Sequence, residues 1–190
     1  MKIYLASTSP RRKELLNEII KNFSRISPDI EEKEYPELTT KEKAVRRSKD
    51  KCIAGVNLVR EKGMVIIASD TVVDFEGEIM DKPKNEAEAY SMMKRLSGNT
   101  HNVYTAVSVY KDGIMYTFTE ETKVTFKHIS DEVIKEYIST DEPYDKAGGY
   151  GIQCEFGKEY ISTIDGDYYN VVGLPVDHLQ RLLNKIGAID

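Results

Sequence analysis

The sequence has no apolar run long enough for a membrane-spanning helix. Such a helix needs about 18 consecutive apolar residues, whereas the longest candidate, Met64 to Ala68, reads as a buried strand. The first twelve residues, MKIYLASTSPRR, turn polar and basic after a short apolar stretch. We therefore expect neither a secretory signal peptide nor a membrane partner.

Cysteine is scarce, and the two that occur, Cys52 and Cys154, are far apart in sequence. Neither belongs to a CxxC motif, and no histidine stands near either at the spacing of metal ligands. Two buried thiols or one disulfide would account for them. The shortage of cysteine favours thiols in a reducing compartment, so we expect a cytoplasmic protein.

The motifs of several common enzyme classes are also missing. The sequence contains no GxxxxGK[ST] loop, no GxGxxG opening a helix, no GxSxG turn and no HExxH helix. His101, His128 and His178 are too scattered to nominate a catalytic triad or a zinc site. We expect His101 to make structural hydrogen bonds and the other two to lie near the surface.

What the chain does contain is typical of a folded domain. Apolar residues make up 40% of its 190 residues, which is enough to bury a core and excludes disorder. The length fits one domain over residues 1–190. Because the formal net charge is −5, we expect no stable nucleic-acid partner.

Helix and strand patterns alternate along the chain, which predicts an α/β fold with a central twisted mixed sheet flanked by helices. Helix starts are predicted where a side chain can cap the first turn, at Ser9, Thr39, Asn85 and Ser130. Strands are predicted at residues 2–6, 23–27, 64–69, 71–75, 78–80, 103–110 and 115–126, and the last two are predicted to form a hairpin around Asp112-Gly113. The helix after Thr39 should stop near Gly63, Ala87 should face the core, and a last helix should span 175–186.

Basic residues concentrate in two places despite the negative total. Six lie between Lys41 and Lys51, where a solvated helix face is the simplest interpretation. The other group, Arg11 to Lys13, follows a strand and the Ser7–Ser9 turn at the start of a helix. A helix N-terminus and arginine both suit phosphate, but an ordinary capped helix with exposed arginines fits the same residues.

Acidic residues that suit a metal–phosphate site are present too. Asp70 follows the predicted strand 64–69, at the carboxyl end where open α/β sheets bind ligands. It would hold Mg²⁺ or orient a water there, or only accept hydrogen bonds from a turn. Glu31 and Glu32 offer a further carboxylate, and Lys82 before Pro83 offers a point charge.

Six segments taken together resemble the Maf family, in matching order and over nearly the whole chain. They are ASTSPRRKELL (6–16), ASDTVV (68–73), DKP (81–83), HNVYTAV (101–107), DKAGGYGIQ (145–153) and GDYYNVVGLP (166–175). The resemblance implies a nucleoside triphosphate pyrophosphatase with two lobes around a cleft, related in fold to the inosine triphosphate pyrophosphatases. SDTVV, YGIQ and DYYNVVGLP are similar to the branch that acts on dTTP and UTP.

The resemblance also implies partners and a cellular role. A nucleoside triphosphate, normal or modified, would be cleaved between its α- and β-phosphates with Mg²⁺ or Mn²⁺ as the cofactor. A homodimer and a house-cleaning role in the cytoplasm are the family expectations. The alternative is a nucleotide-binding regulator of cell division and septum formation whose turnover is incidental.

Site residues are carried over from the family by position. Asp70 would act as the base or orient the water, Asp70 and Glu32 would approach the metal, and Lys51 and Lys82 would contact the phosphates. The residues expected to bind substrate are Ser7, Arg11, Arg12, Thr71 and Gln153. Three positions depart from the family pattern, with Asp81 and Cys154 replacing usual glycines and Gly149 replacing a common alanine. We expect local strain if either of the first two needs a positive φ.

Overall fold

The computed structural model describes residues 1–30 and 35–189 of the chain. Within these ranges, none of the helices combines the length and apolar character that a membrane crossing requires. The strands are β1 (Lys2–Ala6), β2 (Ser24–Ile26), β3 (Met64–Phe75), β4 (Glu78–Met80), β5 (Thr100–Lys111), β6 (Ile114–Phe126) and β7 (Ile161–Asp165). The helices are α1 (Pro10–Ile19), α2 (Thr40–Val59), α3 (Glu86–Leu96), α4 (Asp131–Ile138), α5 (Glu155–Tyr160), α6 (Tyr168–Val172) and α7 (Val176–Lys185), with a 3₁₀ turn at Ala147–Gly149.

The strands form one mixed sheet in the order β2-β1-β3-β5-β6-β7, with β4 paired to β3. Strand β1 is parallel to both neighbours, placing Tyr4 opposite Ser24 and Ile66. Strands β4 and β7 are antiparallel to β3 and β6 respectively. The α/β fold with a mixed sheet and flanking helices is confirmed.

The chain divides into two compact units. Unit 1 comprises Met1–Asp70, Thr105–Glu120 and Gly173–Asp190, and unit 2 comprises Thr71–Tyr104 and Glu121–Val172. Unit 1 contains a small apolar cluster in which Cys52 of α2 packs with Ala6, Ile66 and Ala68. Unit 2 contains a larger cluster built from α3, α4 and the strand segments around Phe126. The assignment of residues 1–190 to one domain stays a prediction.

The predicted helix caps are confirmed in atomic detail. The side chains of Ser9, Thr39, Asn85 and Ser130 each accept a hydrogen bond from a backbone N–H in the first turn of their helix. Glu42 also reaches back to the N–H of Thr39, completing a capping box. The predicted β5–β6 hairpin turns at Asp112 and Gly113, both with positive φ.

Three details of the prediction are wrong. Helix α2 ends at Val59, because Arg60 adopts a left-handed φ of 51° and its N–H bonds the carbonyl of Val56. Ala87 is exposed, and Ala89 takes the buried position that its spacing from Met93 and Leu96 requires. Helices α5 and α6 and strand β7 were not predicted.

Both cysteines are free thiols, so the disulfide alternative is wrong. Cys52 is fully buried, and this burial raises the pKa of its thiol to about 12. Cys154 is only half-buried, which corrects the expectation of two buried thiols. A protonated Cys52 beside the Ile66 carbonyl packs as a small apolar residue.

Candidate active site

The turn between β1 and α1 is held by its own hydroxyls and by an arginine from β2. The N–H of Ser9 donates to Oγ of Ser7 at 3.2 Å, and the N–H of Arg12 donates to Oγ of Ser9 at 3.4 Å. The guanidinium of Arg25 donates to the carbonyls of Ser7 and Thr8, at 3.3 and 2.6 Å. The turn predicted to bind phosphate is thus fixed at the N-terminus of a ten-residue helix.

Arg12, the next residue of the candidate site, is held by a hydrogen bond within unit 1. Its Nε donates to the carbonyl of Gly173 at 3.0 Å, and the Ser69 hydroxyl donates to the same carbonyl at 3.3 Å. Burial lowers the pKa of the Arg12 guanidinium, and the charge of Arg11 lowers it further, while Asp70 opposes both. The charges of Arg11 and Asp70 therefore both act on Arg12 in unit 1, and the roles of the two arginines in binding substrate stay a prediction.

Asp70 and Lys51 form an ion pair, with Nζ and Oδ1 2.5 Å apart. The exposed fractions of the two side chains are 8% for Asp70 and 21% for Lys51. The other carboxylate oxygen, Oδ2 of Asp70, is buried and makes no hydrogen bond within the described residues. Burying an anionic oxygen without a hydrogen-bond donor costs free energy. We therefore expect Oδ2 of Asp70 to interact with a bound ligand, water or ion.

The position of Asp70 differs from the prediction. Strand β3 does not end at Ser69 but continues through Asp70 to Phe75. The parallel pairing with β1 runs only as far as Leu5 opposite Ile67. Asp70 therefore lies inside a strand, three residues beyond the end of that pairing, and it is the last residue that β3 contributes to unit 1.

The remaining candidates lie in unit 2 or outside the described residues. Thr71 is half-buried in β3, and Lys82 is exposed just before the buried Pro83. Gln153 is exposed and lines a cavity of about 550 Å³ within unit 2, together with Tyr137 and Phe156. Glu31 and Glu32 fall outside the described residues, so the second metal-binding carboxylate stays a prediction.

The departures from the family pattern cause no left-handed strain. Cys154 has φ −81°, and the non-glycine residues with positive φ in the described ranges are Arg60, Glu76 and Asp112. Neither Asp81 nor Cys154 has a positive φ, so the backbone strain expected for a side chain in place of glycine does not arise at either residue. Gly149 has φ 73°, a conformation in which glycine is favoured over the common alanine.

Gly148 joins the glycine-rich segment of unit 2 to the turn that carries Lys82. Its N–H donates to the carbonyl of Asp81 at 3.3 Å. Its φ is 72°, and a Cβ at this position would lie 3.0 Å from Cγ2 of Val73. Both the left-handed backbone conformation and the close approach of Val73 therefore favour glycine.

We expect Gly148→Ala to lower the free energy of unfolding by about 1–3 kcal/mol more than Gly77→Ala does. Gly77 is a matched control, because its φ of 84° carries the same left-handed cost while a Cβ there would meet nothing within 4 Å. Urea denaturation of both variants measures the difference. If both variants lose the same free energy of unfolding, the side chain of Val73 moves aside for the new methyl group and the backbone around Gly148 is not tightly packed.

The histidines agree with expectation. His101 is buried and bonded to Tyr150, and His128 is exposed. His178 is partly exposed, stacked on Phe118 and hydrogen-bonded to Glu120.

Comparison with known proteins gives the family. The chain matches the Maf-like protein family over residues 2–186. It belongs to the Maf family. A relative from Carboxydothermus hydrogenoformans named dTTP/UTP pyrophosphatase is 47% identical, over 98% of this chain and 100% of its own. A relative of the same name from Thermosipho melanesiensis is 45% identical over 96% and 97%.

The fold of this Maf chain is also found in a more distant solved structure. The Staphylococcus aureus Ham1 protein superposes with a TM-score of 0.52 at 16% identity, covering 98% of this chain and 100% of that protein. At this identity the likeness concerns the fold alone. It agrees with the mixed sheet and flanking helices described above.

Several residues of the unit 1 site were not found from sequence. The Gly173 carbonyl and the hydroxyl of Ser69 organise Arg12, and Arg25 fixes the turn. Gly173 and Ser69 lie inside two of the segments that carry the family resemblance. That resemblance is the one sequence feature that could have directed attention to them. A backbone carbonyl has no residue-type signature, so its role needed the folded chain.

Proposed function

We propose that the protein is a nucleoside triphosphate pyrophosphatase that hydrolyses dTTP and UTP to the monophosphate and pyrophosphate. The observation that carries this is the buried Asp70 carboxylate, with one oxygen paired to Lys51 and the other unpartnered in the described residues. The names of the relatives support the substrate class. Modified pyrimidine nucleotides belong to the same proposal.

The cationic groups of unit 1 account for binding of the triphosphate. Arg11 and Arg12 present positive charge to phosphate oxygens, and the N-terminus of α1 after the Ser7–Ser9 turn adds the partial positive charge of the helix dipole. The Ser7–Ser9 turn is pre-formed, as its hydrogen bonds show, so little conformational entropy is lost on binding. Lys82 is proposed to contribute a further charge to the phosphates.

Asp70 carries the chemical step in this proposal. Oδ2 accepts a proton from a water as the water oxygen bonds the α-phosphorus and the bond from that phosphorus to the bridging oxygen breaks. Pyrophosphate leaves with the bonding electrons. Lys51 holds the carboxylate through Oδ1 and leaves Oδ2 without a hydrogen bond in the described residues, so that positioning and electrostatics lower the barrier.

The donor set fits a divalent cation, Mg²⁺ or Mn²⁺. Oδ2 of Asp70 has two lone pairs, so it could approach such an ion with one while the other accepts from the water, and a carboxylate oxygen is the hard ligand that these ions prefer. No group of three acidic, histidine or cysteine side chains at metal-binding distance occurs in residues 1–30 and 35–189, so Asp70 would be joined by Glu32 and by substrate oxygens. When bound, the ion supplies positive charge that offsets the charge on the phosphates.

The cellular setting is part of the same proposal. We propose a cytoplasmic house-cleaning enzyme that acts as a homodimer. The alternative of a regulator of cell division with incidental turnover is not favoured, because a nucleotide-binding regulator would not need a buried carboxylate with an unpartnered oxygen.

The direct test measures pyrophosphate separately from phosphate for UTP, dTTP, modified pyrimidine triphosphates and ATP. Each is supplied with Mg²⁺, with Mn²⁺ or with EDTA. We expect pyrophosphate from the pyrimidine nucleotides with either metal and none in EDTA. Release of phosphate alone, or equal turnover with EDTA, would overturn the proposed reaction or its cofactor.

Gln153→Ala is expected to lower the ratio of dTTP to ATP turnover by about ten- to a hundredfold. The Gln153 amide offers both a donor and an acceptor, which suits the edge of a pyrimidine, and its exposed position leaves it open to a ligand. The measurement is kcat/KM for both nucleotides. Gln180→Ala, at an exposed glutamine of α7, is the matched control, and an unchanged ratio in Gln153→Ala would remove Gln153 from the specificity set.

A further inference from the structure

His101 and Tyr150 share a buried hydrogen bond that the proposed reaction does not use. Nε2 of His101 lies 2.6 Å from the hydroxyl of Tyr150, and the exposed fractions of the two residues are 2% and 5%. Phe126 stacks on the imidazole and meets the Tyr150 ring edge-on, with centroids 5.8 and 4.9 Å away. All three rings belong to the apolar cluster of unit 2 or contact it directly.

The pair is neutral at physiological pH. Burial lowers the pKa of His101 to about 4 and raises the pKa of the Tyr150 phenol. The second ring nitrogen, Nδ1 of His101, makes no hydrogen bond within the described residues. If phenylalanine replaced both His101 and Tyr150, the apolar cluster would still be filled and this buried nitrogen without a hydrogen bond would be gone. The stability of the fold alone therefore does not explain why this polar pair is present.

Tyr150 is the centre of a segment, residues 148–153, that is held at several points. The Tyr137 hydroxyl donates to the Gly149 carbonyl at 3.1 Å. Gly157 of α5 sits so close to the Gly151 carbonyl that a Cβ would lie 2.1 Å from that oxygen. The backbone on either side of Tyr150 is therefore fixed, and the His101 bond fixes its side chain.

Residues 148–153, here called the 148–153 segment, contain one residue that is proposed to bind substrate and contact the neighbour of another. At one end the N–H of Gly148 bonds the carbonyl of Asp81, the residue before Lys82. At the other end is Gln153. One supported stretch of backbone in unit 2 thus connects the residue proposed to read the base with the turn that carries a proposed phosphate lysine.

We propose that His101 is a positioning residue that, through Tyr150, holds the 148–153 segment and so keeps Gln153 and Lys82 in fixed relation within unit 2. The proposal rests on the proposed function. It adds that His101 and Tyr150 support the backbone on which selection between nucleotides depends. His101 contacts no substrate in this scheme. Its effect reaches the nucleotide only through the backbone of the segment.

The test compares His101→Phe, Tyr150→Phe and the double variant. Each single variant leaves one buried polar group without its partner and should lower Tm, whereas the double variant removes both groups and should regain most of the loss. We expect all three to lower the UTP to ATP ratio of kcat/KM by about tenfold, the effect of losing one ordinary hydrogen bond. The change should lie mainly in KM for UTP.

The double variant separates positioning from stability. If the pair serves stability alone, the UTP to ATP ratio returns to the wild-type value together with Tm, and the proposal is overturned. Tyr144→Phe is the matched control, since it removes a tyrosine hydrogen bond to the Ile138 carbonyl elsewhere in unit 2. It should leave the ratio unchanged, and a loss equal to that of Tyr150→Phe would also overturn the proposal.

Failure of the proposed function can be recognised separately. The ratio of dissociation constants for the α,β-imido analogues of UTP and ATP, which cannot be cleaved between the α- and β-phosphates, is measured by calorimetry with Mg²⁺ and reports binding without turnover. A wild-type protein that binds UTP without releasing pyrophosphate overturns the reaction, while an unchanged binding ratio in the double variant overturns the role of His101. Wild-type protein that binds neither nucleotide overturns both.

Discussion

Asp70→Asn is expected to lower the rate of pyrophosphate release from UTP by at least about a hundredfold. The amide has nearly the shape of the carboxylate, and its oxygen still accepts a hydrogen bond from Lys51. It loses the negative charge and the ability to take a proton at the position of Oδ2, the buried oxygen that makes no hydrogen bond in the described residues. Turnover at saturating UTP and Mg²⁺, beside a thermal unfolding curve, measures the effect.

Asp74→Asn is the matched control for this prediction. It makes the same change in the same strand, at a carboxylate that accepts a bond from the N–H of Gly77 in the β3–β4 hairpin. Its turnover should remain close to wild type. Full activity in Asp70→Asn would mean that the buried ion pair is structural and that the water is activated elsewhere.

The parts of the fold that were predicted from sequence are those set by neighbouring residues. The caps at Ser9 and Thr39 involve a side chain and a backbone N–H three residues ahead, so residue type and spacing contain the whole interaction. The turn at Asp112 and Gly113 is specified in the same way, since both positions need a positive φ. These elements form where local preference and tertiary packing agree.

The errors occur where distant pairing overrides local pattern. Two strands, 64–69 and 71–75, were predicted on either side of Asp70, yet β3 runs without a break through Asp70 and pairs with β4 beyond it. Pairing of that kind depends on residues far along the chain, which a short window does not contain. Helices α5 and α6 are only six and five residues long, too short for a repeating apolar pattern.

The candidate site shows the same division. Residue chemistry pointed to Asp70 and to Arg11 and Arg12 after the Ser7–Ser9 turn, and the family resemblance selected Lys51 from a helix otherwise interpreted as a solvated face. The structure adds that Lys51 and Asp70, 19 residues apart, form one ion pair. The Gly173 carbonyl that anchors Arg12 lies 161 residues away in sequence, and no pattern predicts that contact.

Lys51→Met is expected to lower pyrophosphate release by about a hundredfold, the usual effect of removing one positioned donor from an active site. Methionine keeps the length of the side chain but leaves the Asp70 carboxylate, only 8% exposed, without its ion-pair partner. A carboxylate in that position is no longer held through Oδ1, so Oδ2 loses its defined direction. We also expect a lower Tm, because one partner of a buried pair has been removed.

Lys49→Met controls for the loss of one positive charge from α2. Lys49 lies two residues earlier, about 200° around the helix from Lys51, and its variant should keep wild-type turnover. The double variant Lys51→Met/Asp70→Asn should regain part of the lost Tm while staying as inactive as Asp70→Asn alone, since both changes act on one carboxylate. Losses that multiply in the double variant would instead mean that Lys51 acts independently of Asp70, through its own contact with the phosphates.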